Sequence, residues 1–254
     1  MKKESALIGY SGFIGSHLLN FSKKLVKYNS KNINKIKNTN YNTVICAGTY
    51  SKIWLANKNQ KEDFDNINKL IENLKTIKAN RFILISTSEV YGNYYYNNNQ
   101  NCNEAKLISG SKLSSYGYNR LRLEKFIKKK FINHNIIRLP IVYGERFSKN
   151  FIFDLINKKN LSKINGNDYV QIYHVKNLTR NIKHIIKKKI KTINLSSSPV
   201  KISEIAKEFF NLKTKQFENS RIINMKSIHA KNDQYYLSKK KCLTDLKSFL
   251  KNFK

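Results

Sequence analysis

A strand that runs into a glycine-rich turn is the feature that most constrains the fold of this chain. The apolar run 6–8 predicts a buried strand, and an amphipathic run from Phe13 to about Leu25 predicts a helix after it. Glycine at such a turn permits a tight bend and lets a diphosphate approach the backbone, beside the helix N-terminus. The segment therefore predicts dinucleotide binding. The contacts expected from it are Gly9, Gly12, Phe13, Ile14 and Gly15.

Strands and helices alternate along the chain as far as residue 144. Apolar runs predict strands near 25–28, 43–47, 81–86 and 135–139, with helices at 62–78 and 115–130. This alternation is typical of an α/β fold with a doubly wound parallel sheet. We assign residues 1–145 to a nucleotide-binding Rossmann domain. Residues 146–254 are assigned to a small C-terminal substrate lobe whose chain crosses back onto the sheet.

The strong positive charge of the chain raises the question of a nucleic-acid partner. Lys and Arg number 49 against 16 Asp and Glu, which gives a formal net charge of +33. The lysines are spread through nearly every segment instead of forming a basic patch interleaved with aromatic residues. We therefore do not expect nucleic acid as a partner, although such a field attracts anions such as nucleotide diphosphates.

Apolar runs and cysteines narrow the cellular location. No apolar run approaches the length that crosses a bilayer, and the first residues lack the small-residue cleavage site of a signal peptide. The cysteines Cys46, Cys102 and Cys242 are odd in number and widely spaced, so we expect neither a disulfide framework nor a metal site. These features predict a cytoplasmic protein without a membrane partner.

The end of the second predicted strand bears on the choice of cofactor. In an NAD-binding fold this strand usually ends in a carboxylate that bonds the ribose hydroxyls. No Asp or Glu lies between Glu4 and Glu62. Ser30 and Lys31 could instead accommodate a 2′-phosphate, which mildly favours NADP. An Asn side chain that bonds the ribose of NAD is the alternative.

The single tryptophan, Trp54, lies in a segment predicted to be a polar loop, residues 49–60. An exposed Trp54 could stack on a substrate base. The commoner role of such a residue is to fill the core.

Two stretches carry hydroxyl groups suited to chemistry. The first is Ser-Thr-Ser-Glu over 86–89, at the carboxyl end of a predicted strand, where open α/β sheets bind ligands. The alternative is that these hydroxyls merely cap the strand.

In the second stretch Tyr116 and Arg120 lie one helical turn apart on one face. A nearby cation lowers a phenol pKa from about 10, so that the group can act as a base. The pair Tyr118 and Arg122 offers a second register.

These motifs resemble those of the extended short-chain dehydrogenase/reductase family, also called the NAD-dependent epimerase/dehydratase family. The spacing Gly-x-x-Gly-x-x-Gly followed by Ser-His is similar to its glycine turn, and Ser-Thr-Ser-Glu is similar to a motif of its nucleotide-sugar dehydratases. Tyr116 matches the tyrosine of the family's Tyr-x-x-x-Lys pair, but Arg120 stands in place of the lysine. The run 136–144 looks like the family's sixth strand and the loop that follows it.

The resemblance implies an NAD(P)-dependent epimerase, dehydratase or reductase that transfers hydride at a carbon of a nucleotide-linked sugar, of the kind common in polysaccharide synthesis. Thr87 would be the catalytic hydroxyl, Tyr116 the general base or acid, and Glu89 the carboxylate that removes a sugar proton. Arg120 would set the Tyr116 pKa and anchor the cofactor. A non-catalytic NAD(P)-binding sensor or scaffold is the alternative, because the lysine is missing.

The resemblance also implies further contacts and an oligomeric state. Ala47 and Gly48 would lie beside the cofactor diphosphate, and Pro140 and Val142 along the nicotinamide. Asn66 would buttress the catalytic side chains. Relatives are often dimers, which implies a homodimer here.

Overall fold

The computed structural model describes residues 4–95, 102–110, 113–231 and 234–253. Its strands are β1 Ser5–Ile8, β2 Leu25–Tyr28, β3 Asn40–Cys46, β4 Lys78–Thr87, β5 His134–Leu139, β6 Ile141–Tyr143, β7 Tyr169–Val170, β8 Ile172–His174, β9 Thr192–Asn194 and β10 Val200–Lys201. Its α-helices are α1 Phe13–Ser16, α2 Ile53–Lys58, α3 Gln60–Leu74, α4 Ser115–Lys130, α5 Phe151–Ile156, α6 Leu178–Lys187, α7 Ile202–Phe210 and α8 Lys239–Asn252.

The chain forms two compact units that are interleaved along the sequence. The first contains residues 1–92, 108–138 and 176–193, and the second contains 93–107, 139–175 and 194–254. The predicted division at residue 145 differs from these units, because α6 and most of β9 belong to the first unit. A C-terminal chain that crosses back onto the sheet was part of the same prediction.

A six-stranded sheet in the order β2-β1-β3-β4-β5-β9 organises the first unit. Strand β1 pairs in parallel with both β2 and β3, and β3 pairs in parallel with β4. The α/β class and the doubly wound parallel sheet are thus confirmed. Because β2 and β3 lie on opposite sides of β1, the winding reverses between β1 and β3. A reversal of this kind is the topological switch point at which open α/β sheets bind ligands.

One face of this sheet packs on α3 and α4 through alternate residues of the strands. Ala6 of β1, Val44 of β3 and Phe82 of β4 stand side by side in register and are fully buried. The remaining core residues on the same side include Ile8, Cys46, Ile67, Leu70, Leu74, Leu84, Leu123 and Ile127. The packing holds the carboxyl ends of β1, β3 and β4 at one edge of the sheet.

The first helix is much shorter than the predicted run from Phe13 to Leu25. α1 ends at Ser16, and the chain continues in turns whose backbone bonds span three residues, such as Leu18 N to Gly15 O at 3.0 Å and Phe21 N to Leu18 O at 3.0 Å. Leu18 is fully buried and anchors this segment, which must reach the start of β2 at Leu25. A single turn has a small dipole but still offers its first N–H groups, so the prediction that these groups hold the phosphates stays a prediction.

The second unit contains two small sheets, a parallel pair β6–β8 and an antiparallel pair β7–β10. The ring of His174 stacks on Tyr143 with centroids 4.9 Å apart, and Phe249 of α8 packs edge-on against both. The buried Gln171 amide donates to the carbonyls of Ser197 at 2.5 Å and Met225 at 2.9 Å. This amide bridges three segments of the unit.

The segment 49–60, predicted to be a polar loop, contains helix α2. Its tryptophan, Trp54, is 66% exposed, so it does not fill the core. In the part of the chain that the structure describes, no helix has the length and apolar character needed to cross a membrane.

Candidate active site

The glycine turn after β1 packs directly against the end of β3. Gly9 has a φ of +84°, and a Cβ there would lie 2.5 Å from the Ala47 carbonyl oxygen and 2.6 Å from the Gly48 Cα. A Cβ on Gly15 would lie 2.0 Å from the Gly9 oxygen. Glycine is therefore required at both positions by the packing of the protein itself. The predicted contacts 9–15 and 47–48 come together at the switch point.

Gly12 differs from its two neighbours, because the fold does not require a glycine there. Its φ of −78° suits any residue, and a Cβ would meet nothing closer than the Gly9 oxygen at 3.4 Å. The exposed Gly12 backbone therefore leaves open space at the mouth of the turn. This space is where the fingerprint of dinucleotide-binding folds lets a pyrophosphate approach the chain, so the residues present fit such a group.

The turn after β2 presents Ser30 and Lys31 to solvent. Asn29 shapes this turn: its Oδ1 accepts from Lys31 N at 3.0 Å, and its Nδ2 donates to the Tyr10 hydroxyl at 3.3 Å. Asn29 directly follows β2, and its bond to Tyr10 ties the β2 turn to the glycine turn. Asn29 is therefore a residue that fits the alternative in which an Asn side chain bonds the ribose, whereas Tyr10 was not among the predicted contacts.

Gly117 brings the predicted hydroxyl-bearing stretches into contact. A Cβ on Gly117 would lie 2.4 Å from the Glu89 carbonyl oxygen, so α4 rests on the backbone that follows β4. Two caps fix the start of this helix: the Ser114 hydroxyl accepts from Gly117 N at 3.2 Å, and the Asn57 Oδ1 accepts from Tyr116 N at 3.0 Å. The Thr87 hydroxyl accepts from Glu89 N at 3.2 Å. Thr87 therefore does cap its own segment, as the alternative prediction has it.

A buried polar network that the sequence analysis missed holds the segment 86–91. The Ser86 hydroxyl donates to Glu124 Oε1 at 2.6 Å. Arg138 donates to both Glu124 oxygens, at 3.0 and 2.7 Å, and to the Tyr91 hydroxyl at 2.7 Å. Burial of the pair is nearly complete, with 0% exposure at Glu124 and 2% at Arg138. The signal in the sequence is a charged residue flanked by apolar ones in a buried strand, Ile137-Arg138-Leu139.

Tyr116 and Arg120 lie together and are both buried, whereas Tyr118 is 45% exposed. In the second register Arg122 packs on the Phe64 ring at 4.2 Å, so Tyr118 and Arg122 do not form a buried pair like the first. The Arg120 guanidinium carbon lies 3.7 Å from the centroid of the Tyr116 ring.

Asp63 of α3 is the acidic partner of Arg120. Its Oδ1 accepts from Arg120 Nη1 at 2.6 Å, and its Oδ2 accepts from Asn119 Nδ2 at 2.8 Å. Arg120 Nη2 donates to the Tyr50 carbonyl at 2.6 Å. Both Nη atoms of Arg120, the residue that the resemblance expects to anchor a cofactor, thus make bonds to protein, and Nε is buried without a partner among the described residues. Asn66, the predicted buttress, is exposed.

The pKa of Tyr116 is raised above its ordinary value of 10.0, chiefly by burial. The charge of Arg120 lowers it, whereas Glu89 and Asp63 raise it further. The expected lowering of the phenol pKa by Arg120 is therefore outweighed. The remaining predicted contacts, Pro140 and Val142, belong to the second unit, and their role stays a prediction.

Comparisons with solved structures place this fold among known enzymes. A dTDP-4-dehydrorhamnose reductase from Clostridium acetobutylicum superposes with a TM-score of 0.77 at 16% identity, covering 98% of this chain and 99% of that one. MoeE5, solved with UDP-glucose and NAD, gives 0.73 at 17% identity over 98% and 99%. A UDP-glucose 4-epimerase from Thermotoga maritima, solved with UDP-glucose, gives 0.69 at 14% identity over 98% and 99%. No curated protein sequence matches the chain.

The sheet, its switch point and the glycine turn define a doubly wound α/β protein of the nucleotide-binding type. The model of the NAD dependent epimerase/dehydratase family matches residues 27–195, and the chain belongs to that family. The matched range begins in β2 and does not include the glycine turn.

Proposed function

We propose that this protein is an NAD(P)-dependent enzyme that transfers hydride at a carbon of a nucleotide-linked sugar. The observation that carries the proposal is the contact of Gly117 with the Glu89 backbone. It places the helix of Tyr116 against the segment of Thr87, and these are the two stretches that carry reactive groups in the family. Both follow β4 at the carboxyl edge of the sheet, where ligands of this fold class bind.

Within this proposal the glycine turn and the ends of β2 and β3 hold the cofactor. The open backbone at Gly12 receives the diphosphate, and Ser30 and Lys31 lie where they meet the adenosine ribose or its phosphate. A bound nicotinamide supplies or accepts the hydride. Thr87 bonds the substrate oxygen at the reacting carbon, and Tyr116 exchanges a proton with it. The partly buried Glu89 is the candidate for removing a proton from the sugar if the reaction includes dehydration.

The test is hydride transfer followed by nicotinamide absorbance, with dTDP- and UDP-linked sugars and their keto forms as substrates. We expect Tyr116→Phe and Thr87→Val each to lower kcat by about 100-fold or more, the range that proton-transfer groups contribute. Tyr118→Phe is the matched control, because this exposed tyrosine lies on the same helix and should leave kcat unchanged. Equal activity of Tyr116→Phe and wild type would refute the assignment.

A second candidate function is a non-catalytic NAD(P) sensor or scaffold, which the engagement of Arg120 with Asp63 and Tyr50 favours. It predicts that NAD(P) raises the melting temperature while no sugar nucleotide is turned over. Mass spectrometry of the denatured protein separates the cases further, since a retained NAD points to a closed redox cycle within one active site.

A further inference from the structure

Asp63 and Arg120 form a buried ion pair beside the candidate proton-transfer residue. Their side chains are 3% and 2% exposed, and they join α3 to α4. Both oxygens of the Asp63 carboxylate accept from Arg120 Nη1, the Tyr50 carbonyl accepts from Nη2, and Asn119 Nδ2 also donates to Asp63 Oδ2 at 2.8 Å. The guanidinium therefore has a fixed position, which it owes mainly to Asp63.

That position sets which part of Tyr116 the cation meets. The guanidinium carbon lies over the ring at 3.7 Å from its centroid, and Nη1 also approaches the Tyr116 backbone carbonyl at 3.5 Å. A carboxylate bonded to the guanidinium offsets part of its charge, so Arg120 acts on the phenol less strongly than an unpaired cation would.

We propose that Asp63 is a positioning residue for Tyr116, because its carboxylate holds the Arg120 guanidinium against the Tyr116 ring. This rests on the proposed function, in which Tyr116 exchanges a proton with the substrate oxygen.

The charged groups that face Tyr116 are Arg120 on its own helix, Asp63 on α3 and Glu89 on the segment after β4. Burial and both carboxylates raise the pKa of Tyr116, and Arg120 alone opposes them. Of the two carboxylates, Asp63 bonds to the opposing cation. Its removal takes away a negative charge that disfavours the tyrosinate, so the positive charge of Arg120 acts without that opposition.

The test is a pH titration of the protein labelled with 13C at the tyrosine ζ carbon, followed by NMR without cofactor or substrate. The Tyr116→Phe variant identifies the Tyr116 signal. We expect Asp63→Asn to raise the tyrosinate fraction of Tyr116 at a given alkaline pH about tenfold. Arg122→Met is the matched control: it breaks a bond between the same two helices, Arg122 to Asn68 at 2.7 Å, and should leave the titration unchanged. An unchanged titration in folded Asp63→Asn overturns the proposal.

A second variant covers the case in which Asp63→Asn does not fold, since it leaves Arg120 buried without a counter-ion. Asp63→Asn combined with Arg120→Met removes both charges, and because the effect of Arg120 exceeds that of Asp63, Tyr116 should then titrate at higher pH than in the wild type. No difference from wild type would overturn the proposal.

Turnover separates this proposal from the proposed function. If the enzyme is active, the alkaline fall of kcat should move to lower pH in Asp63→Asn. A shifted NMR titration in a protein without turnover supports the positioning role and refutes the activity. Turnover with an unshifted titration supports the activity and refutes the positioning role of Asp63.

Discussion

Backbone bonds hold one side of the switch point together, and buried charged side chains hold the other. On the β1–β2 side backbone groups make the structure: Gly9 N donates to the Tyr28 carbonyl at 2.7 Å, and glycines fill the positions where a side chain would collide. On the β4–α4 side buried charged side chains make it, with Arg138 paired to Glu124 and Arg120 paired to Asp63.

The difference matches what the proposed function requires of each side. A diphosphate needs open space and N–H groups, which glycine supplies. A proton-transfer site needs side chains with fixed orientations, and buried ion pairs supply those through directional bonds. The β1–β2 side is also small, because residues 29–39 between β2 and β3 contain a 3₁₀ helix, Ile33–Ile36, where the common dinucleotide fold has a third strand.

The glycines test this contrast with the largest expected effect. We expect Gly15→Ala to lower the free energy of unfolding by at least about 3 kcal/mol, because its Cβ would lie 2.0 Å from the Gly9 oxygen. Gly12→Ala should leave the melting temperature of the free protein unchanged and abolish its rise on adding NAD(P). Thermal unfolding with and without cofactor measures both. A stable Gly15→Ala variant would mean that packing does not require that glycine.

Substitution in the buried network of Glu124 and Arg138 should change stability by a comparable amount. Glu124→Gln leaves the Arg138 charge buried without a counter-ion, and we expect a loss of about 3–5 kcal/mol in urea unfolding. Combining it with Arg138→Met should restore most of the stability. Glu72→Gln is the control, because it breaks the exposed pair with Lys75 and should change stability by less than about 1 kcal/mol. Similar losses in Glu124→Gln and Glu72→Gln would contradict the contrast.

A thiol at the end of β3 makes the glycine side sensitive to alkali. Burial raises the pKa of Cys46 from 9.0 to about 11, although a backbone bond from Gly48 lowers it. The unfolded thiol ionises first, so the free energy of unfolding should fall by about 2–3 kcal/mol from this group as pH rises from 9 to 11. Cys46→Ala should flatten this fall when urea unfolding is followed across that range. If the free energy of unfolding falls equally steeply in Cys46→Ala, other titrating groups cause the fall.

The smallest expected change is in cofactor affinity, on substitution of Lys31 in the turn after β2. If Lys31 meets a 2′-phosphate, Lys31→Glu should weaken NADP binding about tenfold, or about 1.4 kcal/mol, and leave NAD binding unchanged. Calorimetric titration with each cofactor measures this. Lys27→Glu, an exposed lysine on β2 itself, serves as the control. Equal weakening by the two variants would show a general field effect rather than a contact.

The sequence predicted the sheet well and the first helix badly, for the same reason. Apolar periodicity reports burial, and the strands and α4 bury their apolar residues in regular alternation, so α4 was predicted at its observed bounds 115–130. The run after Gly12 is also periodic, but the turns anchored by Leu18 use the same apolar residues without a helix. Apolar periodicity therefore does not distinguish a helix from a series of turns that bury the same residues.

Local motifs singled out Thr87, Tyr116 and Arg120, whose roles stay predictions, but the buried acidic partners of the site were missed. Asp63 was missed because it is a charged residue, yet it has the spacing of the buried stripe of α3, before Ile67 and Leu70. A charge at an apolar position signals a buried partner, but no local pattern identifies Arg120 as that partner.

The interleaved order of the units has a consequence for synthesis on the ribosome. Strand β5 gains its outer neighbour β9 only when residues 192–194 have been made, after most of the chain has emerged. A fragment that stops at residue 145 would present β5 as an unprotected edge strand and would tend to aggregate. The complete sheet is therefore a late product of translation, and a nascent chain must wait for its distant segment before its nucleotide-binding half is finished.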